Sequence, residues 1–158
     1  MIREAQVQDA DDVLRLIRGL ATYEKLEHEV VATREDIERS LFGPSPSAHC
    51  LLAEIDGVPR GLAIHFTNYS TFLGAPCSYL EDLFVEPDYR GRGLGRRLLA
   101  SVAAWATERG HRRLDWSVLD WNAGAINFYR AIGAEPMDGW TVYRLSGPAL
   151  ARLAGNAE

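Results

Sequence analysis

The sequence predicts an α/β fold: a single domain whose mixed central sheet has an antiparallel N-terminal half and a βαβ C-terminal half, flanked by helices. Three observations carry this. Two strand-like runs, residues 49–55 and 60–68, meet at Asp56-Gly57, a dipeptide suited to a two-residue hairpin. A third run, Ser78-Tyr79-Leu80-Glu81-Asp82-Leu83-Phe84-Val85, leads through the glycine-rich turn Arg90-Gly91-Arg92-Gly93-Leu94-Gly95 into an apolar-periodic helix. Beyond that helix, a strand pattern at 114–119 and a helix pattern at 123–132 continue the alternation.

The elements follow in order. Residues 2–5 form a short first strand, and Asp9 opens a helix in which Val13, Leu14, Leu16, Ile17, Leu20 and Ala21 recur at helical spacing. Thr33-Arg34-Glu35-Asp36 starts a second helix, with Ile37 and Leu41 behind it and Gly43-Pro44 as its stop. Tyr23-Glu24-Lys25-Leu26-Glu27-His28-Glu29 is an acidic connector between the two. After the hairpin come a loop at 69–76 and a strand at 77–85. The helix after the glycine turn runs to Glu108-Arg109, with Gly110 as its cap. The helix at 123–132 ends at Gly133, and a last strand at 141–145 precedes a short C-terminal helix. No repeat, low-complexity tract or linker interrupts the chain, so residues 1–158 read as one domain.

A chain of 158 residues, 47% hydrophobic and 25% charged, has the composition of a globular domain. Its net charge of −5 argues against a nucleic-acid partner and favours cationic small molecules. No apolar run approaches a membrane span, and Met1-Ile2-Arg3-Glu4 lacks a signal-peptide core; the expectation is a cytoplasmic protein with no membrane partner. Cys50 and Cys77 lack metal-ligand spacing, so no metal is expected and both thiols should be reduced. His49 is Cys50's neighbour, but adjacent strand residues point to opposite faces, which leaves it badly placed to activate the thiol.

A strand, a short glycine turn and a helix start together form a nest of backbone N–H groups at a positive helix terminus, suited to a pyrophosphate. The G-x-G-x-x-G dinucleotide fingerprint fails because Arg96 stands where its third glycine would be, and no Walker lysine is present. The turn also lies mid-chain after a hairpin, not after a first parallel strand. NAD and nucleoside triphosphates are therefore poor candidates.

The pattern Arg90-Gly91-x-Gly93-x-Gly95 resembles the acetyl-CoA signature [R/Q]-x-x-G-x-[G/A] of the GCN5-related N-acetyltransferases. Downstream, Asn122-Ala123-Gly124-Ala125-Ile126-Asn127-Phe128-Tyr129 through Gly133-Ala134 is similar to that superfamily's second signature. Within it, Tyr79 to Val85, Asp88-Tyr89-Arg90-Gly91, Trp121-Asn122, Ile126-Asn127-Phe128-Tyr129 and Gly139-Trp140 resemble the diamine branch, the spermidine/spermine and thialysine N-acetyltransferases. The likeness covers nearly the whole chain. It implies acetyl-CoA as co-substrate, a small amine as acceptor and a homodimer.

Acetyl transfer to an amine needs a neutral amine, a stabilised oxyanion and a proton for the departing thiolate. Alkylammonium groups titrate near pH 10, so a base is required. Glu81 is well placed in the strand before the turn, and the resemblance assigns its counterpart to the amine site. Tyr129, a phenol protonated at neutral pH, takes the acid role by the same resemblance. The family also implies a splayed strand in which the backbone of Leu83, Phe84 and Val85 meets the pantetheine arm, with an N–H there able to stabilise the oxyanion. Asn122 and Ala125, at the start of the Tyr129 helix, complete the pantetheine contacts. Arg90, Gly91, Arg92, Gly93, Leu94, Gly95 and Arg96 take the phosphates. Asp82, alternating with Glu81 on a pleated strand, should face the other way and read as structural or as a subunit contact.

Tyr23, Glu24, Glu81, Asp138 and Trp140 match positions that surround the cationic substrate in the diamine branch. The loop at 69–76 departs from the polyamine enzymes, with Ser70 in place of an acid and Phe72 in place of a Trp. A shorter amine such as thialysine is thereby at least as fitting as spermidine. Two alternatives stay open: an acetyltransferase for a peptide or aminoglycoside amine, and a noncatalytic acyl-CoA-binding module.

Overall fold

The computed structural model describes residues 1–156. Its elements are β1 (Ile2–Glu4), α1 (Ala10–Glu24), α2 (Arg34–Phe42), β2 (His49–Ile55), β3 (Val58–Ser70), β4 (Ala75–Val85), α3 (Leu94–Glu108), β5 (Leu114–Trp116), α4 (Ala123–Ala131) and α5 (Gly147–Ala154). The chain divides into two compact units, one from Met1 to Ser117 and a second beginning at Val118.

The first unit holds a five-stranded sheet in the order β1-β2-β3-β4-β5. Pairing is antiparallel from β1 to β4, and β5 adds to β4 in parallel after the α3 crossover. This is the mixed α/β architecture read from the sequence. The Asp56-Gly57 turn forms as expected: both residues have positive φ, 52° and 75°, which lets two central residues reverse the chain with the twist of the flanking strands.

The second hairpin is tighter than expected. Asn68, Tyr69 and Ser70 pair with Cys77, Pro76 and Ala75, so most of the anticipated 69–76 loop is strand and only residues 71–74 turn. At the other end, β5 stops at Trp116, short of the expected 119.

Helices cover both faces of the sheet. Ala10, Val13, Leu14 and Leu16 of α1 and Ile37 of α2 pack on Cys50, Leu52, Leu62, Ile64 and Phe84. The alternate residues meet α3, whose Trp105 ring lies 4.9 Å from His49 and 4.6 Å from His65. Local signals fix the helix starts. Thr33 and Asp36 form a reciprocal capping box on α2, with Asp36 N–H donating to Thr33 Oγ1 at 3.2 Å and Thr33 N–H to Asp36 Oδ2 at 3.0 Å. Arg3 bridges Asp9 and Glu54, both at 2.7 Å, and ties β1 to the approach to α1.

The second unit contains α4 and α5. Asn122 caps α4 by accepting from the Ala125 N–H at 3.2 Å. The strand expected at 141–145 is not formed: those residues carry no sheet pairing among the described residues. The pattern is too short to decide the matter, because Val142 and Tyr143 are apolar neighbours that break a strict alternation, and a strand exists only where an edge pairs with it.

Candidate active site

Strand β4 leaves the sheet through a single 3-10 turn at Pro87–Tyr89 and enters the glycine turn. Gly91 and Gly93 have φ of 75° and 76°, a region that opposes any Cβ, and the space where a Cβ would sit is open at both. Gly95 differs: its φ is ordinary, and a Cβ there would make only van der Waals contact with Val85, at 3.9 Å. Gly93 caps α3, which opens with no acidic residue in its first turn but with exposed Arg96 and Arg97. Acidic residues normally complement that positive helix end, and none does so here. Leu94 is buried and anchors the helix start.

A charged brace holds the turn from behind. Glu86 binds Arg15 of α1 and, at 3.1 Å, Arg60 of β3. The Arg60 guanidinium lies 4.6 Å from the centre of the Tyr89 ring, and Arg92 lies 5.2 Å from the same ring. These partners are 26 to 71 residues apart along the chain, a separation at which sequence carries no signal. Arg90 donates from Nε to the Val85 carbonyl at 2.9 Å, and its guanidinium lies 4.3 Å above the Tyr23 ring. Tyr23, expected at the amine, thus meets the first residue of the glycine turn.

The β5 pairing of β4 is short. Pairing with β5 covers only Ser78, Tyr79 and Leu80, whose partners are Leu114, Asp115 and Trp116. Glu81 to Val85 continue past the end of β5 while remaining joined to β3 on their other side. Phe84 packs its side chain into the α1 core and is 4% exposed.

Ile64 pairs with Asp82 but His65 pairs with Leu80, which leaves Glu81 as the extra residue of a β-bulge. The bulge interrupts the strict alternation of β4 between Glu81 and Asp82. Asp82 shares the register of Ile64, on the α1 face, and burial together with the charges of Glu81 and Glu24 pushes its carboxyl up to about 6. Glu24 is itself raised by burial. Asp82 is the residue that sequence reasoning set aside, and the structure couples it to both expected carboxylates.

The remaining expected residues, Asn122, Ala125, Tyr129, Asp138 and Trp140, belong to the second unit. Tyr129 sits partly buried on α4, its ring 5.3 Å from that of Phe128. Asn122 spends its side-chain oxygen on the α4 cap. Asp138 and Trp140 are exposed in the connection between α4 and α5. Both cysteines are buried, and burial pushes the Cys50 thiol up to about 12, the reverse of an activated nucleophile. Among the described residues, no group of three or more His, Cys, Asp or Glu is placed to hold a metal.

The first unit thus has a mixed sheet whose fourth strand leads through a glycine turn into a helix start. The sequence model of the Acetyltransferase (GNAT) family matches residues 12–134, and the chain belongs to that family of N-acetyltransferases. It is 41% identical to a thialysine N-epsilon-acetyltransferase of Bos taurus, over 98% of this chain and 97% of that protein. An L-ornithine N5-acetyltransferase of Arabidopsis thaliana is 31% identical over 94% of this chain and 85% of its own length. Among solved structures, an integron cassette protein from the mobile metagenome of V. cholerae superposes with a TM-score of 0.81 at 25% identity, covering 98% of this chain and 96% of that one.

Proposed function

We propose that this enzyme moves the acetyl group of acetyl-CoA directly to the primary amine of a small cationic substrate, a diamine or thialysine-like molecule. The observation that carries the reading is the carboxylate cluster of Glu24, Glu81 and Asp82 beside the open edge of β4. The cost of ionising Asp82, set by burial and by the charges of Glu81 and Glu24, is relieved by an ammonium group more than by any neutral ligand. The names of the relatives, thialysine and ornithine, favour an amine at the end of a short chain. Ser70 fits this too, because it is buried at the hairpin and its Oγ accepts the Leu73 N–H at 3.3 Å, offering no acid for a longer polycation.

The roles follow from chemistry. The N–H groups of Gly91, Gly93, Leu94, Gly95 and Arg96, with Arg92, bind the pyrophosphate, and the open geometry at Gly91 and Gly93 fits such a group. Backbone groups at Leu83, Phe84 and Val85, with Asn122 and Ala125, hold the pantetheine arm, and an N–H of that edge stabilises the developing oxyanion. Acetyl-CoA supplies an acyl carbon already activated as a thioester. Glu81 takes the ammonium proton, Tyr129 protonates the leaving thiolate, and Asp138 and Trp140 complete the amine site. One N-acetyltransferase domain spans both units in this reading, as the family match runs across their boundary at Ser117. A cytoplasmic homodimer without nucleic-acid or membrane partners belongs to the same reading, and sedimentation tests its dimeric part.

The test is a CoA-release assay over thialysine, ornithine, lysine, diamines, spermidine, a peptide amine and an aminoglycoside. The highest kcat/KM should fall on the short diamines or thialysine-like amines. Preference for the peptide or aminoglycoside, or acetyl-CoA binding without turnover of any amine, would overturn the proposal.

A further inference from the structure

The last turn of α1 reaches both ends of the proposed site. Glu24 contributes its charge to Asp82 at the carboxylate cluster. One residue earlier, Tyr23 lies under the Arg90 guanidinium at 4.3 Å, and the same guanidinium lies 5.7 Å from the centre of the Phe84 ring. Arg90 Nε is fixed by its bond to the Val85 carbonyl at 2.9 Å. Phe84 is itself held by α1, because a Cβ on Gly19 would come within 3.0 Å of its ring. The turn of helix that presents Tyr23 is closed by Lys25, in the left-handed conformation at φ 62°, and by the Leu26 N–H donating to Ala21 O at 2.8 Å.

We propose that Tyr23 is a positioning residue: its ring, with that of Phe84, holds Arg90 against the Val85 carbonyl, so that α1 sets the shape of the glycine turn and joins it to the carboxylates that take the amine. This rests on the reading that the turn binds acetyl-CoA. The chemistry favours a lock over a direct amine contact. A guanidinium is charged at every working pH and stacks on aromatic faces, so a ring it covers is a poor second home for an ammonium ion. The lock also makes one rigid element the carrier between two ligand sites. Cofactor binding that tightens Arg90 should therefore tighten the amine site, and the reverse must hold by the same factor.

The test measures acetyl-CoA affinity by calorimetry in the absence of any amine, alongside melting curves, for the wild type, Tyr23→Leu, Tyr23→Phe, Arg90→Gln and the double variant Tyr23→Leu/Arg90→Gln. Tyr23→Leu keeps apolar volume but removes the ring, and should weaken cofactor binding by about 3- to 30-fold, the range of one cation–π contact. Tyr23→Phe keeps the ring and should bind within about twofold of wild type. The double variant should bind no more weakly than the weaker single variant, because both remove the same contact. Unchanged acetyl-CoA affinity in Tyr23→Leu, with a raised KM for the amine, would overturn the lock and make Tyr23 a substrate contact. Additive losses in the double variant would overturn it as well. A wild-type protein that binds no acetyl-CoA would overturn instead the cofactor reading on which the lock rests.

Discussion

Asp82 directly follows Glu81, the unpaired residue of the β4 bulge, and burial together with the charges of Glu81 and Glu24 pushes its carboxyl up to about 6. The native carboxyl holds its proton more tightly than the unfolded one, whose value is 3.8. Asp82 therefore favours folding below pH 3.8, and that contribution disappears as pH rises to about 6. The stability lost across that window is up to about 3 kcal/mol. Asp82→Asn should raise the melting temperature at pH 7.5, change it little at pH 4, and weaken the amine. A variant less stable than wild type at pH 7.5 would contradict this.

His65 works in the opposite direction over an overlapping range. It is fully buried, and desolvation with the neighbouring His49 lowers its ring to about 4 from 6.5. The unfolded chain then binds the proton first as pH falls. Stability conferred by the neutral ring is complete above 6.5 and is lost as pH drops toward 4, by up to roughly 3 kcal/mol. Denaturant titrations of His65→Leu should show a flatter acid limb than wild type; identical limbs would remove His65 from the account.

Tyr129→Phe deletes a single proton donor from α4. If Tyr129 is the acid, kcat should fall by about 10²- to 10⁴-fold while acetyl-CoA affinity stays within about twofold. Steady-state kinetics with calorimetry separates the two quantities, and unchanged turnover would refute the assignment.

Gly93→Ala isolates backbone geometry from packing. No atom lies within 4 Å of the new Cβ, so its cost is the φ of 76°, on the order of 1–2 kcal/mol. Acetyl-CoA binding should suffer together with the melting temperature. Gly95→Ala, whose φ is ordinary, should melt close to wild type, and a comparable loss of stability at both positions would contradict the distinction.

Direct transfer predicts no acetyl-enzyme. Both cysteines are buried, and burial pushes the Cys50 thiol up to about 12, so neither should react with a thiol reagent under native conditions. A covalent acetyl burst in single-turnover mass spectrometry would overturn the mechanism.

The order of strands and helices in the first unit was readable because each has a local cause. Asp56-Gly57 reverses the chain by itself, Thr33 and Asp36 cap α2 within four residues, and the glycine turn carries its positive φ values wherever it sits. The residues at 141–145 failed as a strand because pairing belongs to a partner edge, which a short apolar stretch does not specify. The position of Asp82 was invisible for a related reason: one unpaired residue inverts every later side chain on a strand, and nothing in Glu81-Asp82 announces it.

The sequence by itself determined the chemistry available at the cofactor end: a glycine turn, a helix start and arginines that follow from consecutive residues. Only the tertiary structure decided how that turn is held and which carboxylates act on Asp82. The brace of Glu86 on Arg15 and Arg60, the Arg90 contact with Tyr23, and the joining of Asp82 to Glu24 all link residues distant in the chain. Such contacts are set by packing across the sheet, where burial and charge act through space and not along the backbone.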